Sequence, residues 1–148
     1  MTLAAAAEQT MPWATVPPHV AQFAGAMTGA VTAYAMFALP LIQRSSHAPH
    51  GFAQVFSEAV ATFGLLVAVH GTGRRASVVP LTVGAYIAAA YWLTASMSFA
   101  NPAVTLARAF TNTFSGTALN DVPVFIIAER IGALIATLLF RWLLRERE

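Results

Sequence analysis

Residues 98–110 read SFANPAVTLARAF, and they close a stretch with no Asp, Glu, Lys or Arg between Arg75 and Arg108. Asn is a favoured N-cap and Pro a favoured first helical residue. Asn101-Pro102 therefore predicts a helix that opens in the middle of an apolar region. An unpaired Asn amide in hydrocarbon is costly. Backbone that is not helical at membrane depth persists only where it is buried in protein or lines a wet cavity. The stretch is thus expected to line a pore.

The composition around it sets the membrane context. The 148 residues are 57% hydrophobic and 9% charged, with mean hydropathy +0.64, whereas a soluble domain carries about 25% charged residues. A second uncharged stretch runs from Glu8 to Arg44. Both are longer than the ~20 residues a spanning helix needs. There is no cysteine, which excludes disulfide and thiol chemistry. The basic residues are all Arg and form no cluster of the kind nucleic acid requires. The opening MTLAAAAEQTMPW lacks the basic region and apolar core of a signal peptide.

The pattern predicts four spanning helices, at Pro17–Leu39, Phe52–His70, Val79–Ala95 and Val122–Leu144, and two shorter helices, at Thr2–Glu8 and Pro102–Thr113. Arg74 and Arg75 follow the second span; Arg141, Arg145 and Arg147 close the fourth. Two spans separate these groups, so they share one side, and Arg enrichment makes that side cytoplasmic. Trp13, Trp92 and Trp142 read as interface anchors or as packing residues.

The chain also repeats itself. TLA at 2–4 recurs at 105–107, each followed by a short helix, a Val-Pro segment and a long helix with a Gly-Ala pair, Gly25-Ala26 and Gly132-Ala133. This order is that of an inverted-repeat membrane fold. Residues 1–39 form the end of one repeat and 52–145 the other, within a single channel domain, 1–148. Met1 aligns with Val104, so the first copy begins just after the place of its own Asn-Pro-Ala. The expectation is that the reading frame starts upstream and that two spans are missing.

Physically, Asn101 caps a half-helix whose N-terminus carries roughly half a positive charge. That end and the Asn amide disfavour cations and offer a donor to water or a hydroxyl-bearing solute. SFANPAVTLARAF and the helix FSEAVATFGLL resemble the major intrinsic protein family, the aquaporins and aquaglyceroporins, in a bacterial branch with NPAVTLAR. The resemblance spans the whole chain, as the C-terminal two-thirds of a member. It implies an all-α fold of spanning helices and two re-entrant half-helices, a pore in each monomer and a homotetramer in the bacterial inner membrane, with the C-terminus cytoplasmic. Asn101, Pro102 and Ala103 form the pore signature. The family's constriction positions fall on Ala89, Ser98 and Val104, where the family usually has Arg at the last. Small side chains at all three imply a wide opening for glycerol-like polyols, urea, water and neutral metalloid hydroxides such as arsenous acid. Arg108, one turn and about 6 Å beyond Val104, is a candidate for the outer mouth, or else snorkels or pairs with Asp121. The resemblance gives Glu58 the support of the re-entrant loop.

The remaining polar residues carry less. Glu129, matched by Gln22, reads as a buried structural group, and adjacent Arg130 faces elsewhere. Gly25 and Gly29 have the small-residue spacing of close helix packing. His47 and His50 lack a third ligand and read as a solvated loop, so no metal or cofactor is expected. No nucleophile–base pair or phosphate loop is present, so the chain is not read as an enzyme. Competing readings are a secondary transporter, which should carry ion-coupling carboxylates near the break, and a non-conducting remnant.

Overall fold

The computed structural model describes residues 16–41, 43, 45–46, 51–72, 75 and 77–145. The helix expected at Thr2–Glu8, Trp13, Arg74, Arg147, His47 and His50 lie outside them. Five α-helices follow in order: α1 Val16–Met36, α2 Phe52–Gly71, α3 Val79–Leu93, α4 Pro102–Arg108 and α5 Val122–Arg145, with a 3-10 turn, Leu119–Asp121, leading into α5.

Each end has a local cause. Prolines occupy the first turns of α1 and α3, where a missing N–H costs nothing. Helix α1 stops at Met36, three residues before the expected end. Ala38 takes a left-handed φ of 54°, the Leu39 N–H reaches back to Tyr34 O and the Ala38 N–H to Ala35 O. This is a Schellman stop, followed by Pro40. Helix α3 ends at Leu93, two residues early, because Thr94 turns extended.

Helices α2 and α5 form the main packed pair. Gly132 lets them approach until a Cβ there would lie 2.1 Å from Ala59 O. Leu66, Ala133 and Ala136 form the adjoining buried cluster, with Phe63 and Val67 against it. His70 stacks on Phe140 at 4.9 Å. Helix α3 joins α2 through the Tyr86 hydroxyl, which donates to Ala61 O at 2.8 Å above Gly64. Helix α1 rests on α4.

The expectation for Gly25 and Gly29 is corrected here. Among the described residues, a Cβ at either would meet nothing within 4 Å. Helix α1 instead turns Ala26, Ala30 and Ala33 toward the rest of the chain.

The outer faces are apolar. Leu81, Trp92 and Leu93 of α3 and Ile127, Ile131, Leu134 and Leu138 of α5 are exposed. Helix α2 and the stretch Leu119–Leu144 are long and apolar enough to cross a membrane, and α3 is a shorter apolar helix. At 1.5 Å per residue its 15 residues reach roughly 22 Å, and the chain re-enters the protein from there as an irregular segment.

Candidate functional site

The segment that follows α3 is built from an unfavourable backbone. Met97, Ser98 and Ala100 all have positive φ, at 61°, 48° and 48°. Residues with a Cβ resist this region at about 1–2 kcal/mol each. Glu58 supplies the compensation. Its carboxylate is fully buried and accepts the Phe99 N–H at 2.9 Å and the Ala100 N–H at 3.0 Å. Charge-assisted bonds of this kind are about twice as strong as neutral ones. Ser96, bonded to Ser57 at 3.2 Å, ties the same segment to α2.

The chain then turns at Asn101, whose backbone is extended and whose Oδ1 accepts the Ala103 N–H at 2.9 Å. Asn101 is thus an N-cap and Pro102 opens α4. The Asn101 amide nitrogen has no acceptor among the described residues. The Thr105 hydroxyl lies 3.2 Å from Asn101 O and donates to Glu129. Glu129 is buried, and its Oε2 has no partner among the described residues. Two carboxyl groups, on α2 and α5, therefore hold the loop leading into α4 and its first turn, respectively.

The far end of α4 is equally tied. Arg108 O accepts the Thr111 and Thr117 N–H groups, Ala109 O accepts the Ser45 N–H, and Phe110 O accepts the Tyr34 hydroxyl at 3.0 Å. Ser46 bonds Asn112 Oδ1 through both N–H and hydroxyl. A seven-residue helix has little stability of its own, so these contacts fix its position.

A cavity of about 660 Å³ lies between α1, α3 and α4. Its wall carries Val104 and Arg108 from α4, Tyr91 from α3 and Ala26, Ala30 and Ala33 from α1. Val104 and Arg108 thus share one wall. Ala103 is buried, and Asn101 and Pro102 are half-buried at the start of α4. Ala89 is exposed on α3 and Ser98 is buried in the loop; neither lines this cavity. The Ser98 hydroxyl has no partner among the described residues. Arg108 donates from Nη1 to Tyr91 Oη and to Ser115 O, both at 3.1 Å. Tyr91, Ser115 and the Thr105–Glu129 contact were not foreseen as parts of the site. Arg130 is exposed while Glu129 is buried, as adjacent positions on a helix require.

A half-helix that starts inside an apolar helical protein, is held by buried carboxyl groups and carries a cavity along Val104, Ala107 and Arg108 is the arrangement of an all-α membrane protein with a re-entrant segment. A model of the major intrinsic protein family matches residues 1–140, and the chain belongs to that family, one of membrane channels and not of enzymes. The aquaglyceroporin AqpS of Rhizobium meliloti (strain 1021) is 53% identical over 127 residues, 85% of this chain and 54% of that protein. The chain spans about half the length of that curated relative. No solved structure matches it.

Proposed function

We propose that this chain forms part of a passive membrane channel for small neutral solutes. Asn101 carries the reading. Its Oδ1 is occupied by the helix it caps, which leaves the amide N–H groups to a permeating oxygen. Cations gain nothing there, since they meet a donor and the positive end of a helix. The solutes are water, glycerol-like polyols and urea, and at the larger end neutral metalloid hydroxides such as arsenous acid. The small Val104 on the cavity wall and the aquaglyceroporin relative support the wider range. In this reading Val104 narrows the pathway, Arg108 stands toward the outer mouth, and Glu58 holds the loop, while Ala89 and Ser98 stand off the cavity wall.

The channel works as a homotetramer in the bacterial inner membrane, with the C-terminus in the cytoplasm. Vesicles carrying the protein should swell when glycerol or urea is presented outside, at a rate independent of proton or sodium gradients. A rate that needs such a gradient would instead mark a coupled transporter.

A further inference from the structure

Glu58 and Glu129 approach α4 from two different helices, and they are supplied with donors very differently. Both Glu58 oxygens accept a backbone N–H, so each end of a carboxylate charge is met. Glu129 is 2% exposed. Its Oε1 meets the Thr105 hydroxyl, and its Oε2 meets no donor among the described residues. An ion with so few donors is costly to bury, and a neutral acid is far less so. We propose that Glu129 is a positioning residue for Asn101 and works as a neutral carboxylic acid, its Oε1–H donating to Thr105 Oγ1 while the Thr105 hydroxyl donates to Asn101 O. What Asn101 serves rests on the channel reading above; the proton on Glu129 does not.

Thr105 is the pivot. It is fully buried, and its Oγ1 lies beside two oxygens, Glu129 Oε1 and Asn101 O, the latter at 3.2 Å. A hydroxyl carries one proton. If Thr105 gives it to Glu129, the contact with Asn101 O has none. If Glu129 brings a proton of its own, the relay runs from Glu129 to Thr105 to Asn101, and each contact has its hydrogen. Asn101 O then accepts the hydroxyl as well as the Thr105 N–H at 2.9 Å, one for each lone pair.

The repeat points the same way independently. Gln22 stands at the matching place of the first copy. A glutamine amide and a carboxylic acid share one shape, each with a carbonyl oxygen and a donor, and neither is charged. A glutamate ion has no donor. The charged groups that act on Glu129 are Glu58, on α2, and Arg130, next along α5. Arg130 is exposed, and Glu58 disfavours a second negative charge. A neutral Glu129 fixes Asn101 from behind and sets no further negative charge beside the helix end that must refuse cations.

The test uses the full chain in lipid bilayers at neutral pH, with ¹³C-labelled glutamate observed by infrared spectroscopy. Exposed glutamates are ionised there. A carboxylic-acid C=O band is expected, lost in Glu129→Gln and kept in Glu58→Gln. Thr105→Val removes the acceptor and should move the band to higher frequency. In flux assays Glu129→Leu, which removes the donor, should lower glycerol permeability about tenfold, the scale of one buried hydrogen bond. Glu129→Gln should recover most of that loss, since its amide can donate to Thr105. The proposal is overturned if no acid band appears, if Thr105→Val leaves the band in place, or if Glu129→Gln permeates as poorly as Glu129→Leu. The band in the unsubstituted protein and its shift in Thr105→Val decide the matter even if Glu129→Leu does not fold. An acid band lost in Glu129→Gln, in vesicles that pass no solute, would sustain the neutral acid and sink the channel reading. Glycerol flux without the band would do the reverse.

Discussion

Glu58 is a carboxylate whose acceptors are both filled by backbone. It accepts from two consecutive N–H groups of a loop that contains three residues at positive φ. Glu58→Gln keeps the shape but replaces one acceptor by a donor, which then faces an N–H. The loop should lose about 1–3 kcal/mol, seen as a lower unfolding midpoint in detergent and a matching fall in glycerol permeability. Asn101→Asp tests the other half of the site. Asp caps a helix as well as Asn does, so the unfolding midpoint should hold. The amide donors are replaced by a negative charge, and sodium conductance across a planar bilayer should appear. Both residues were legible in sequence. A lone carboxylate in an apolar helix and an Asn-Pro in an apolar region are each too costly to be incidental. Tyr91 was not legible, because an aromatic in an apolar helix follows no pattern that separates a clamp from packing. Glu129 was readable as buried, but its partner Thr105 was not, since the contact joins residues on two helices.

Among the elements, helix existence followed from composition and periodicity, and helix ends did not. Pro40 marks where α1 must have stopped, but the Schellman turn at Ala38 sets the end and uses no glycine to announce itself. The two Gly-Ala pairs of the repeat show the same limit. Gly132 meets the backbone of α2, whereas Gly25 meets nothing within 4 Å among the described residues. The sequence marks both as small and cannot say which one a neighbour reaches. Gly132→Ala should force α2 and α5 apart and cost about 1–3 kcal/mol, the range for overpacking. Gly25→Ala in the same chain should be neutral or stabilising by up to about 1 kcal/mol, since Ala is the better helix former. Thermal unfolding of the two variants in one detergent decides the matter, and equal midpoints would contradict the packing described.

At the scale of the whole molecule, Arg placement gives a sidedness that cysteine labelling can test. The chain has no cysteine, so single cysteines report without background. Ser77 and Asn120 are both exposed and lie on either side of α3 and the re-entrant segment. In intact cells an impermeant maleimide should label Asn120→Cys and spare Ser77→Cys until the membrane is opened. The all-helical architecture was legible because the charge-free stretches are long-range patterns. The convergence of α2 and α5 on one half-helix, α4, was not, because it depends on contacts between distant residues. That convergence also sets an order of events during synthesis. Glu58 and Phe99 are 41 residues apart, a distance a ribosome covers in about 2–8 s. Through that interval the carboxylate is already made and the amides it will hold are not. Glu129 is made later still. The half-helix therefore cannot hold all of its fixing contacts until α5 has been made, and while that helix is being synthesised Glu58 can hold the loop before α4 with Thr105 still waiting for its carboxyl group.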